Sequence, residues 1–423
     1  MRQNDPLYSV YLKILHEELQ PAFGCTEPAA LAYAAALAAQ TLGAAPERLL
    51  VTCSGNIIKN VKSVIVPNAG GRKGLDVAAA AGVIAGHAEK KLELLSGMTD
   101  SDRQRMDAYL KMASIKIALS DSPNPFDIRI DAESGSDTAT VRITGGHTNV
   151  VLIEKNGTVL LEQRGAQSQM DSPDRESLSV RRILAFADGV DIADVRALLD
   201  RQISCNMAIA EEGMRGDYGA NIGIVLLKTD SSLRTRLKAM AAAGSDARMS
   251  GCEMPVIINS GSGNQGITVS VPVVTYARAK GLPQEKLYRA LVLANLLAIY
   301  QRSGIGCLSA YCGAINAGVA AACGVVYLND GTFDDIAHTL VNGLAIASGV
   351  ICDGAKASCA SKIAVGIDAG LLGYEMYQNN QQFFNGEGIV KGGVDQTIAA
   401  VARLGRDGMR DTDREILHIM IDR

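Results

Sequence analysis

The sequence predicts an α+β protein, an N-terminal α/β domain over residues 1–175 followed by a mostly α-helical domain over residues 176–423. Three observations predict it. Two-residue alternation of apolar and polar side chains is concentrated between Phe126 and Leu161 (DIRI, TATVRITGGHTNVVLIEKNGTVLLEQ). Beyond Leu178, apolar residues recur at helical spacing in one segment after another. Asp171 to Glu176 is the most polar stretch between the two regimes and marks the boundary.

In chain order, the spacing of Leu7, Val10, Tyr11, Ile14 and Leu15 predicts a helix over Leu7 to Leu19, stopped by Pro21. PAFGCTEPAALAYAAALAAQTLG then predicts a second helix, with Thr26 as N-cap, Glu27 and Pro28 in the first turn and Gly43 just past its end. Cys25 sits at that helix start, where unpaired N–H groups and the helix dipole favour a thiolate, although a buried loop cysteine has the same sequence signature. Leu49 to Val66 predicts strand, polar SGN loop and strand, followed by a helix from about Leu75 through Leu95. Asn56, Lys59 and the Gly-rich loop from Asn68 to Gly74 are candidates to hold an anionic group. In the strand region, Asn156-Gly157 is a hairpin turn, and Gly145, Gly146, His147 and Asn149 interrupt the alternation at a sheet edge or site mouth. His147 is a candidate proton handler there.

The helical half contains predicted helices over Leu178–Phe186, Ile192–Gly213, Ser232–Ala243, Pro283–Tyr300, Ser309–Tyr327, Phe333–Ser348 and Lys356–Leu372. Between them, NSGSGNQGITVSVPVV carries Asn259, Ser260, Ser262, Asn264 and Gln265 among three glycines, a loop whose amides suit a carboxylate or phosphate. Five of the nine cysteines (Cys307, Cys312, Cys323, Cys352, Cys359) fall between Gly306 and Lys362. On a helix from Ser309 to Tyr327, Cys312 and Cys323 share a face but lie roughly 16 Å apart, and Cys307 points about 140° away. A three-thiolate set therefore consists of Cys312 or Cys323 together with Cys352 and Cys359. Three thiolates on four irons leave one iron open to a substrate. The Cys352–Cys359 interval matches neither zinc-type C-x2-C pairs nor short ferredoxin runs.

Composition narrows the function. With 48% hydrophobic residues the chain fills a sizeable core, while 4% aromatic residues and no tryptophan require close helix packing through Ala and Gly. A net charge of −4 without basic runs argues against nucleic acid or an anionic membrane as partner and for a small molecule. The N-terminus shows no secretory pattern, and nine scattered cysteines do not resemble a disulfide framework, so the cytosol is the expected compartment. The uncharged run from Ser303 to Asn329 is only weakly apolar, and no membrane span is expected from it.

The stretches PAFGCTEPAALAYAAA, GGHTN, GSDARM, NSGSGNQGI and GVICDGAKASCASK, in this order, together resemble the L-cysteine desulfidase family from roughly Pro21 to Asp395. The second half is more distantly similar to the α-domain of iron–sulfur L-serine dehydratases. The resemblance implies an oxygen-sensitive [4Fe-4S] cluster with one open iron, no pyridoxal phosphate, and conversion of L-cysteine to pyruvate, ammonia and hydrogen sulfide. It implies Cys312, Cys352 and Cys359 as cluster ligands, choosing Cys312 over Cys323, and Cys25 as catalytic base. The serine dehydratases space their last two ligand cysteines further apart and bring a C-terminal cysteine to the site. The short interval and the ending HIMIDR favour the desulfidase branch.

The expected chemistry is then a β-elimination from an amino acid, with His147, Asn149, Asn259, Ser260, Ser262 and Asn264 holding its carboxylate and ammonium groups. The rivals are a serine or threonine dehydratase of the same cluster type, a pyridoxal-phosphate lyase using Lys59, and a non-catalytic iron–sulfur or amino-acid sensor. A homo-oligomer is compatible with the sequence.

Overall fold

Each expected element can be set against a computed structural model that describes residues 1–163, 174–306 and 308–421. In the first half, α1 (Pro6–Glu18) is followed by β1 (Pro21–Phe23), α2 (Thr26–Leu42), β2 (Arg48–Cys53), α3 (Gly55–Val61), α4 (Leu75–Ala85), α5 (Asp100–Met112) and β3 (Ser114–Leu119). The antiparallel run β4 (Asp127–Ser134), β5 (Asp137–Thr144), β6 (Val150–Lys155) and β7 (Thr158–Glu162) completes it. The second half holds α6 (Val180–Gly189), α7 (Ile192–Arg215), α8 (Ile222–Thr229), α9 (Leu233–Met249), β8 (Pro255–Ile257), α10 (Gly263–Lys280), α11 (Gln284–Ser303) and α12 (Gly313–Leu328). Then come α13 (Phe333–Ala347), α14 (Cys359–Gln378), α15 (Val394–Arg403) and α16 (Arg410–Ile421). The fold is α+β, as the sequence predicts. No helix among the described residues is long and apolar enough to cross a membrane.

Two apolar cores organise these elements. The first lies under a mixed six-stranded sheet of order β3-β2-β4-β5-β6-β7, parallel between β2 and β3 and antiparallel elsewhere. Alternate residues of its strands, such as Val51, Ile128, Ile130, Val141 and Ile143, are buried against the alanine-rich α2. Behind α2 lies α4, and a side chain at Gly82 would collide with the carbonyl of Ala32, so only glycine permits that approach. The second core is a helical assembly around α12, whose residues from Ala314 to Val326 are buried on every side.

Contacts at several places tie the cores together. Strand β1 pairs antiparallel with β8, Pro21 opposite Ile257, which sets the start of α2 beside the start of α10. Helix α1 packs in the helical core, the rings of Tyr11 and Phe186 lying 5.4 Å apart. The C-terminal α16 lies on α3, where Leu417 occupies the space that a side chain at Gly55 would need.

Several local expectations are corrected. Cys25, not Thr26, is the N-cap of α2, and Gly43 closes the helix in the left-handed conformation at φ 88°. The polar SGN segment is not a loop between strands but the start of α3, capped at Ser54 and anchored by buried Ile57 and Val61. The helix expected through Leu95 ends at Ala85, because Gly86 turns left-handed at φ 65°, and a 3-10 stretch from Ala88 to Gly97 follows. NSGSGNQGITVSVPVV is largely α10, with Ser262 as its N-cap. Helix α12 begins at Gly313, with Cys312 as its N-cap. Cys307 and the first half of the expected linker from Asp171 to Glu176 lie outside the described residues.

Candidate active site

Helix starts converge on one cavity of about 100 Å³. Cys25 caps α2, Cys312 caps α12, Cys359 is the first residue of α14 and Ser262 caps α10. All four line the cavity, with Cys352, Glu27, Asn56, Lys59, Asn60, Arg248, Asn264 and Gln265 among the other wall residues. Two short segments hold Cys312 and Cys352 side by side. Cys312 N donates to Val350 O at 3.1 Å, and Cys352 N donates to Ala310 O at 2.6 Å. Cys25 and Cys359 pack in one small apolar cluster with Val64 and Met249.

Lysines tie down the loop between Cys352 and Cys359. Lys356 pairs with Asp353 at 2.5 Å and donates to the Asp353 carbonyl, while Lys362 pairs with Asp353 and donates to Ile351 O at 2.8 Å. From the other core, Lys59 donates to Cys352 O at 3.3 Å and pairs with Asp413 of α16. The amine that a Schiff-base reading of Lys59 requires is thus already engaged on both sides.

Burial dominates the electrostatics. It pushes the Cys25 thiol up to about 12, against the opposing pull of Arg248, with Glu27 and Cys359 adding to the rise. The position expected for a low-pKa thiolate is present, yet desolvation outweighs the helix dipole there. Burial likewise raises Cys312 to about 12, and the neighbouring Cys352 raises it further. Cys359 is raised by burial too, with Lys356 and Lys362 pulling it back. Cys323 is remote from the cavity wall, fully buried, its Sγ 3.8 Å from Ile336 O. Among the described residues, no three Cys, His, Asp or Glu side chains close around a single point as one metal ion needs.

The sequence candidates thus divide. Cys25, Cys312, Cys352, Cys359, Ser262 and Asn264 share the cavity wall, and so do Asn56 and Lys59. His147, Asn149, Asn259 and Ser260 do not. Asn259 is fully buried and donates to Asn295 Oδ1 at 3.0 Å, and Ser260 Oγ donates to Asn259 Oδ1 at 2.8 Å, so both complete a structural amide network. Asn149 Nδ2 donates to Thr144 O at 2.7 Å inside its own turn. His147 stands edge-on to Phe126, 4.7 Å between ring centres, with its ring against Gly261 and a buried, unpartnered Nε2. Burial holds it below the usual histidine range, with Glu27 opposing the effect. The loop from Asn68 to Gly74 lies off the cavity, Asn68 Nδ2 donating to Leu95 O.

Sequence reasoning assigned no role to Glu27, Asn60 or Arg248. Arg248 stands in the quoted GSDARM stretch and Glu27 two positions after Cys25, so both had a signal; Asn60 had none.

Residues 89–418 match the family model described as serine dehydratase alpha chain. A UPF0597 protein of Desulfitobacterium hafniense is 52% identical over 424 residues, covering 100% of this chain and 99% of its own. A UPF0597 protein of Treponema denticola is 44% identical, with 97% of each chain covered. One from Bacteroides fragilis is 36% identical, again over 97% of each.

Proposed function

The chain belongs to the serine dehydratase alpha chain family, and from that premise we propose that it is an iron–sulfur-dependent lyase that eliminates sulfide from L-cysteine, giving pyruvate and ammonia. The observation that carries the reading is the meeting of Cys312, Cys352 and Cys359 with Cys25 on one cavity wall, from three distant stretches of sequence. All four are free thiols.

The donor set fits a four-iron cluster better than a single ion. Each thiolate of such a cluster binds its own iron, so the three sulfurs surround a volume rather than a point. Lys356 and Lys362 lie close enough to the thiols to offset thiolate charge. When bound by Cys312, Cys352 and Cys359, a [4Fe-4S] cluster supplies an open iron that acts as a Lewis acid on the leaving group.

The chain's own residues do the rest. Cys25, packed beside Cys359 on the cavity wall, takes the α-proton, and Arg248 is the nearby cation that stabilises its thiolate form. Ser262 and Asn264 present the start of α10 to the substrate carboxylate, the favoured place for an anion. Proton loss and departure of the β-sulfur give hydrogen sulfide and 2-aminoacrylate. That enamine tautomerises, and water splits the imine to pyruvate and ammonia without further catalysis.

Anaerobic reconstitution with iron and sulfide tests the reading. The parent protein and Cys323→Ala should gain the cluster's visible absorbance and release sulfide from L-cysteine, while Cys312→Ala and Cys359→Ala should do neither. Unchanged absorbance and activity in Cys359→Ala would defeat it. The family description itself favours one alternative, the same elimination with a hydroxyl leaving group. Relative kcat/KM for L-cysteine and L-serine decides between them.

A further inference from the structure

Asn60 is one of the polar groups of the cavity whose orientation is fixed by its surroundings. Its Nδ2 donates to Glu27 Oε1 at 3.1 Å, and a carboxylate oxygen accepts only from the NH2 side of an amide. Asn60 Oδ1 is therefore turned away from Glu27. It is buried without a partner on a side chain only 7% exposed. Beside it lies Gly354, whose added Cβ would stand 3.6 Å from that oxygen.

Glu27 is the second half of the arrangement. Thr26 Oγ1 donates to its Oε2 at 2.9 Å, so both carboxylate oxygens are oriented. Its carboxylate has no ion-pair partner among the described residues, because Lys59 of the same wall is paired with Asp413. Arg248 is directed elsewhere, to Gly24 O at 2.8 Å and Asn264 Oδ1 at 3.2 Å. A half-buried carboxylate and a buried orphan acceptor thus belong to residues that line one small cavity together. Both call for a cation that is also a hydrogen-bond donor, and an ammonium group carries three N–H donors and no acceptor.

We propose that Glu27 and Asn60 form the subsite for the α-ammonium group of the substrate, so that the protein selects α-amino acids over the matching α-hydroxy acids. The assignment deepens the lyase reading and rests on it for the identity of the substrate. Recognition is sharp because a hydroxy acid offers a single uncharged O–H donor, which leaves one of the two acceptors unpaired or facing an oxygen lone pair.

The test uses ligands with no leaving group, which bind without turnover. Thermal unfolding is followed for the full chain, as purified and after anaerobic reconstitution, with L-alanine or L-lactate. L-alanine should raise the melting temperature and L-lactate at the same concentration should not. Glu27→Gln keeps the shape but removes the charge, and should weaken L-alanine about tenfold or more without lowering the unliganded melting temperature. If Glu27→Gln fails to fold, Asn60→Leu carries the same comparison. Equal shifts by the two ligands, no shift by either in reconstituted protein, or undiminished L-alanine binding by the variant would each overturn the subsite. If L-alanine binds through Glu27 while L-cysteine is not broken down, the lyase reading falls and the subsite stands. If L-cysteine is broken down and Glu27→Gln leaves its KM unchanged, the subsite falls and the lyase reading stands.

Discussion

Lys59 and Cys352 are joined across the two cores by a hydrogen bond of 3.3 Å from the lysine Nζ to the cysteine carbonyl. The same ammonium pairs with Asp413, and the two side chains are 1% and 16% exposed. A buried pair of this kind is costly to break from one side, since the remaining charge stays desolvated. Lys59→Met should therefore lower the unfolding free energy by roughly 3–5 kcal/mol. A Lys59→Met/Asp413→Leu double variant should recover much of it. Denaturant unfolding of the single and double variants measures both, and a single-variant loss under about 0.5 kcal/mol would show that the pair is not structural.

Cys25 offers a different separation of effects. It lies on the cavity wall but outside the proposed ligand set, so Cys25→Ser should leave cluster absorbance and L-alanine binding intact. Loss of the base should lower kcat by about 10²–10⁴-fold with little change in KM. Parallel loss of cluster and activity would make Cys25 a ligand instead, and retained kcat would return the protein to a reading in which another group takes the proton.

Much of this architecture was legible from local patterns. The hairpins about Asn156, the left-handed end of α2 at Gly43 and most of the long helices follow from periodicity and turn chemistry, which act over a few residues. Cys352, Cys359 and one of Cys312 and Cys323 were legible as candidates from the clustering of cysteines, and the choice of Cys312 came from the family resemblance. The amide network was not. Asn259 looked like a ligand-binding loop residue, but its partners Asn295 and, through it, Gln202 come from helices far along the chain. The same holds for Lys59, whose role depends on Asp413 at the other end of the sequence. Alpha-helix α3 was missed because seven residues give barely two turns of periodicity, and the packing of Ile57 and Val61 in the first core, with α16 laid over the helix, is what stabilises it.

Gly354 makes a close contact between the two cores at the site. Its φ is +93°, and an added Cβ would lie 2.5 Å from the carbonyl oxygen of Lys59. Gly354→Ala combines a backbone penalty of about 1–2 kcal/mol with that collision. The loop carrying Cys352 and Cys359 should shift, and cluster loading should fall more steeply than global stability. Gly349→Ala, on the same connection but with open space around it, is the matched control and should load normally. Equal loading by both variants would show that the contact at Gly354 does not position the ligands.

Asp246 links the fold to pH away from the thiols. The side chain is 1% exposed, and its Oδ2 accepts from Ile222 N at 2.7 Å, capping the start of α8. Burial raises its carboxyl to about 6, although the backbone N–H groups of Ile222, Ala220 and Gly223 pull it down. The unfolded value is about 3.9. Between these two values the native state holds a proton that the unfolded chain has released. The contribution of Asp246 is therefore fully present below about pH 4 and is lost as pH rises through about 6. The loss is at most about 3 kcal/mol. Asp246→Asn keeps an oxygen to cap α8 but cannot ionise. Relative to the parent, its unfolding free energy should improve progressively from pH 4 to pH 7, measured by denaturant titration at each pH. Parallel pH curves for the two proteins would show that this carboxylate is ionised without penalty and that its cap to α8 does not depend on protonation.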